Sequence, residues 1–423
     1  MEGHELTTLP GGEKVVSERL DSVRSVALGF WIGTGSRDEP TARAGVSHFI
    51  EHMLFKGSSR YDAQQIAETF DALGGDLNAA TSRETTVVYA RVPDEKLEVA
   101  LDVMADMVFR PRFDDLDSER EVVLEEIAMV EDNPQDLVHD LAAEAVFGSH
   151  PLGRPVIGSA EVISTVSRRA LRSYHQGAYV AGNVVVAAAG NVDHARLLEL
   201  VEARIGGEMH DFRLTRKPAG RILGPGVRFQ RKDTEQYHVC LAAPGIHRSD
   251  ERRYAASLLD AIVGGSASSR LFQEIREKRG MAYSVYTFAS QYADTGMVGV
   301  YVGTREDNLA ECMRITVDQL TRMGVGELEP GELQRAKENL KGRIMLSMES
   351  TSNRASRLGK SVLTDTEVLS LDRICAEIDA VDPEAVAALA RQLFAPERLS
   401  VAGIGPDEDR FREAVAVLNP ALR

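Results

Sequence analysis

The sequence predicts an α+β protein of two homologous domains, each a largely antiparallel sheet flanked by helices, joined by a linker. Three observations predict it. The chain has 423 residues, more than one core organises, so two domains of roughly 200 residues each are expected. Each half opens on an apolar strand and closes on a strand, a glycine turn and an amphipathic helix, the pattern of a duplication. Between those ends, strands and helices mix with hairpin-like neighbours, which favours an antiparallel sheet over a doubly wound parallel one.

The opening strands are residues 25–33 (SVALGFWIG) and 237–243 (YHVCLAA). The closing units are the strand 183–191 with a helix near 195–205, and the strand 398–404 with Gly405 and a helix near 408–418. Residues 206–226 are rich in Gly, Pro, Arg and Lys and have linker composition. The domains are therefore placed at 1–206 and 227–423, with the linker over 207–226.

In the first half, residues 42–56 read as a helix with Val46, Phe49, Ile50, Met53 and Leu54 on its apolar face and Gly57 beyond its end. Asp62 with Gln65 forms a capping box for a helix reaching Leu73, and Gly74 and Gly75 stop it. Strands follow at 76–82 and 85–92, the second rich in Thr, Val and Tyr. Pro93 is suited to start a helix through Val108, and a further helix spans 116–132, bounded by Pro134.

Composition narrows the function. Hydrophobic residues make up 43% and charged residues 27%, the balance of a globular protein. No run reaches the ~18 apolar residues that span a bilayer, and the first residues lack the basic and apolar regions of a secretory signal. The net charge of −16 speaks against nucleic-acid binding, which needs clustered Lys and Arg, and suits basic peptides or simply solubility. Cys240, Cys312 and Cys375 form neither a C-x-x-C pair nor a disulfide framework, as expected of buried thiols in a reducing, cytoplasmic setting. The segment 263–270 is glycine-rich but lacks the Lys-Ser/Thr of a phosphate loop.

The chemistry lies in His48-Phe49-Ile50-Glu51-His52. His48 and His52, four apart on a helix, share a face, and zinc accepts imidazole nitrogens from such a pair. Glu51 lies on the same side, where a carboxylate reaches a water whose pKa zinc lowers to about 7. The order H-x-x-E-H is the reverse of H-E-x-x-H. A structural His pair has the same spacing, and the residues alone leave both readings open. A catalytic zinc site also needs a third protein ligand. Glu119 and Glu126, seven apart, share a helical face; Glu125 points about 100° away. A solvated acidic face is the other reading of that helix.

His48 to Gly57, followed by Glu119-Arg120 and Glu126, resembles the insulysin/pitrilysin family of zinc metallopeptidases, and most closely its half-length branch with the mitochondrial processing peptidase β subunit and bacterial relatives. The resemblance runs through both halves. It implies His48, His52 and Glu126 as ligands of one zinc per chain, Glu51 as general base, and Glu119 as the group orienting a ligand His. The block 74–86 resembles the family's edge strand, which pairs with substrate backbone, implying Asn78, Ala79 and Thr81 as substrate-binding. The second half lacks H-x-x-E-H but carries Arg276 and Tyr283, seven apart; the resemblance implies that they hold substrate and the oxygen gaining charge at the scissile carbonyl. Without it, Arg276 reads as a helix-surface charge.

Full-length relatives close as four-domain clamshells, so the resemblance implies that a two-domain chain pairs, with Arg276 and Tyr283 completing the site of a partner subunit. A homodimer suffices; a heterodimer with a related chain is the other arrangement found in the branch. The implied activity is hydrolysis of flexible peptides. The alternatives are a dedicated maturase and a structural subunit like the core proteins of the cytochrome reductase complex, which generally have degraded metal motifs; here the motif is intact.

Overall fold

The computed structural model describes residues 3–205, 216–219 and 225–418. Most of the expected linker, 207–215 and 220–224, lies outside the described residues. The fold is α+β, with two mixed sheets that are antiparallel except for one parallel pairing each.

The first sheet contains β1 (His4–Thr8), β2 (Lys14–Arg19), β3 (Ser25–Ile32), β4 (Asp76–Thr81), β5 (Thr86–Pro93) and β6 (Val184–Gly190), in the order β1-β2-β6-β3-β5-β4. The second contains β7 (Val227–Arg231), β8 (Tyr237–Gly245), β9 (Ala282–Gln291), β10 (Gly296–Thr304) and β11 (Ser400–Gly405), in the order β7-β11-β8-β10-β9. Setting β1 aside, the two orders are the same. Each has a parallel pair, β2 with β6 and β7 with β11, followed by three antiparallel neighbours. The duplication read from the two ends of each half thus extends to sheet topology.

The central strands are buried on both faces. β6 (VVVAAAG) has no exposed residue, the composition of a strand covered twice rather than of one half-exposed. One face of the first sheet packs on α1 (Val46–Leu54), α2 (Ala63–Leu73) and α3 (Leu97–Phe109). The other face, with Val16, Ala27, Trp31, Val185 and Ala187, packs on helix Thr351–Leu363 through Ala355, Leu358 and Val362. In the second sheet, Cys240, Ala242, Tyr301, Ala402 and Ile404 pack on α5 (Pro134–Phe147), which follows α4 (Leu116–Asp132).

Each half therefore gives one helix to the other half's sheet. The two compact units are Met1–Ala128 with Pro155–Arg216 and Met345–Ser370, and Met129–Arg154 with Lys217–Ile344 and Leu371–Arg423. They differ from the contiguous division 1–206 and 227–423. An amphipathic pattern says that a helix buries a face, not which sheet receives it.

Several elements match the expected ranges and three differ. The capping box at Asp62 and Gln65 is present, with Gly74 left-handed at the end of α2. The helix expected from Ala42 begins only at Val46, because Thr41–Arg43 forms a 3-10 turn and Gly45 has φ +94°, which helical residues do not adopt. Pro93 closes β5 opposite Ser25 and is the N-cap of a 3-10 turn, Asp94–Lys96, so the α-helix itself begins only at Leu97. The segment bearing Arg276 is a π-helical turn, Phe272–Glu277.

Candidate metal centre

α1 is built so that one face is buried and the other is chemical. Val46, Phe49, Ile50, Met53 and Leu54 are all buried, which leaves His48, Glu51 and His52 on the open side. Its N-terminus is capped by a side chain from upstream: the buried Glu39 carboxylate accepts from the Gly45 and Ser47 amides at 2.7 Å each. A carboxylate there satisfies unpaired N–H groups and opposes the helix dipole.

α4 brings the second set of groups. Leu116, Val123 and Ile127 bury one stripe, and Glu119 and Glu126 stand two turns apart beside it. Arg120 lies 5.9 Å over the Phe49 ring of α1 and donates to the Val166 carbonyl at 3.0 Å and to that of Ile163. The ring contact ties α4 to α1, and the two hydrogen bonds tie it to the segment 163–166.

Donor atoms converge between the two helices. One atom from each of His48, His52 and Glu126 can be chosen so that all lie within 4.8 Å of one another. Glu126 Oε2 is 3.3 Å from His52 Nε2 and 3.7 Å from His48 Nε2. Two imidazole nitrogens and a carboxylate are a donor set for zinc, three protein ligands with a position left open. Burial, reinforced by neighbouring His52, pulls the His48 imidazole down to about 4, so it is neutral at ordinary pH, the form in which imidazole ligates. His48 Nδ1 is buried with no hydrogen-bond partner among the described residues.

The surrounding groups orient this set. Glu119 Oε1 is 2.8 Å from His52 Nδ1, which leaves Nε2 to face Glu126. Glu119 Oε2 is paired with Lys56 Nζ at 2.6 Å. Glu51 is raised in pKa chiefly by burial, opposed by a bond from Thr81, whose hydroxyl donates to Glu51 Oε2 at 2.5 Å.

The residues read as substrate-binding lie on β4, the edge of the first sheet. Asn78 is exposed, and its Oδ1 accepts from the Ala79 amide at 2.8 Å. Ala79 and Thr81 face the other way, Ala79 against the core and Thr81 towards Glu51.

Arg276 and Tyr283 belong to the second unit and are in contact. The Arg276 guanidinium lies between two rings, 4.6 Å from the Phe272 centroid and 4.5 Å from that of Tyr283. Tyr283, on β9, is 78% exposed, unusual for an aromatic and available to a ligand. Sequence reasoning missed Lys56 and Phe272. Their signals were the four-residue steps from His52 to Lys56 and from Phe272 to Arg276; Lys56 stands in the turn just past the end of α1, and Phe272 and Arg276 stand on the same π-helical turn.

The site and the sheets place the chain among zinc-peptidase-like proteins, and comparison with known proteins agrees. The family model described as Insulinase (Peptidase family M16) matches residues 14–160, and that described as Peptidase M16 inactive domain matches residues 165–340. The chain belongs to the insulinase (M16) family of peptidases. A Mycobacterium leprae protein named an uncharacterized zinc protease is 44% identical over 406 residues, covering 95% of this chain and 91% of its own length. A Bacillus subtilis protein similarly named is 42% identical over 414 residues, covering 94% of this chain and 97% of its own. The crystal structure of a protease from Helicobacter pylori has TM-score 0.89 at 21% identity, covering 96% of this chain and 100% of that one, a likeness that shows the fold. No described helix is long and apolar enough to cross a membrane.

Proposed function

We propose that the protein is a zinc-dependent endopeptidase that hydrolyses flexible, preferentially basic peptides. The convergence of His48, His52 and Glu126 within 4.8 Å, beside a carboxylate on the same helix, carries the reading. His48 Nε2, His52 Nε2 and Glu126 would hold one zinc per chain. Bound zinc supplies Lewis acidity to the scissile carbonyl and acidifies a water molecule.

Glu51 takes the proton of the attacking water and passes it to the leaving amine. Glu119 holds His52 in the orientation that presents Nε2, and Lys56 balances its charge. β4, an open edge, receives the peptide as an added strand near Asn78 and Ala79, which demands little of its sequence. Arg276 and Tyr283 of the partner subunit steady the oxygen that gains charge at the scissile carbonyl. The stacking of Arg276 between two rings supports a preset guanidinium, and a homodimer supplies every group. The charge of −16 supports basic substrates, and the sparse cysteines support a cytoplasmic setting.

The test is cleavage of a quenched basic peptide. Activity lost to a chelator and restored by zinc is expected; absence of cleavage after zinc loading would turn the reading toward a structural subunit.

A further inference from the structure

We propose that Thr81 is the positioning residue for the base Glu51, and that it ties the edge strand β4 to the proton-transfer group. This rests on the peptidase reading above.

A glutamate on a helix has three rotatable side-chain bonds and no fixed aim of its own. Glu51 is held from outside its helix. Thr81 Oγ1 donates to Glu51 Oε2 at 2.5 Å. Threonine is suited to this because its branched side chain restricts χ1, so the strand backbone sets the direction of the hydroxyl.

The alternation of β4 explains how the strand serves both ends. Asp76, Asn78 and Ala80 are exposed, whereas Leu77, Ala79 and Thr81 point the other way, with Leu77 and Ala79 against the core. Thr81 is the last inward residue, opposite Thr86 on β5. A peptide that adds to the outer edge of β4 thus lies along the strand whose final inward side chain grips the base. With Oε2 engaged by Thr81, Glu51 Oε1 is the oxygen free to take a proton from water. Thr81 keeps its own proton throughout.

The experiment compares Thr81→Val and Thr81→Ser in the zinc-loaded full chain. Valine keeps shape and strand preference but removes the hydroxyl; serine restores it. Thr81→Val is expected to lower kcat by about tenfold or more, with KM within about twofold and chelator-competition zinc affinity unchanged. Thr81→Ser is expected to recover most of kcat. Wild-type kcat in Thr81→Val would overturn the inference, as would a loss expressed only in KM or shared equally by Thr81→Ser. If Thr81→Val fails to fold, the serine variant decides: wild-type kcat supports the inference, and a tenfold loss overturns it. A wild-type chain that cleaves nothing after zinc loading would overturn the peptidase reading and this inference together.

Discussion

Glu119 Oε1 stands 2.8 Å from His52 Nδ1, and its other oxygen is 2.6 Å from Lys56 Nζ. The carboxylate is 5% exposed, so nothing in bulk water would replace it. Glu119→Ala is therefore expected to weaken zinc about 10- to 100-fold while leaving the three donors in place. Chelator competition measures this; unchanged affinity would remove Glu119 from the site.

The roles of ligand and base separate by substitution. Glu51→Gln is expected to abolish turnover yet keep zinc, whereas His48→Ala loses both. Metal analysis and peptide cleavage on the same preparations check the pair. Retained turnover in Glu51→Gln would remove the proposed base.

Site sharing between subunits has a complementation test. His48→Ala and Arg276→Ala chains are each expected to be inactive as homodimers. Random mixing gives half mixed dimers, each with one intact site of two, so about a quarter of wild-type activity should return. A mixture that stays inactive, or a monomer as active as the dimer, would contradict sharing.

Trp31 and Gly359 set a packing limit. A Cβ at residue 359 would overlap the Trp31 indole, itself buried among β2, β3 and β6 residues. Gly359→Ala is expected to destabilise the first unit by about 1–3 kcal/mol, read as a lower denaturant midpoint with the zinc donors untouched.

His175 gives a pH dependence. Burial pulls it from 6.5 to about 4, although its Nε2 contacts the Val108 carbonyl at 2.7 Å. Between those values the unfolded chain binds a proton that the folded chain refuses. Stability is thus full above pH 6.5 and declines toward pH 4, by about 3 kcal/mol for this group. Unfolding of wild type and His175→Gln at pH 7 and 4.5 should show a shallower decline in the variant.

Much of this architecture was legible in the chain. The His48/His52 spacing and the seven-position step from Glu119 to Glu126 are helical arithmetic, and Asp62 with Gln65 is a local cap. What stayed hidden depends on distant partners. The start of α1 is set by Glu39 and the left-handed Gly45. The bond from Thr81 to Glu51 joins a strand to a helix 30 positions away. The exchange of α5 and helix Thr351–Leu363 between sheets is a choice among apolar surfaces that periodicity does not distinguish.

The most direct test of the central claim is the zinc content of purified wild-type protein beside a His52→Ala variant. The expected result is one zinc per wild-type chain and almost none in the variant. A wild-type chain that takes up no zinc from a zinc-supplemented buffer, or a variant that binds as much as wild type, would contradict the metal centre and the peptidase built on it.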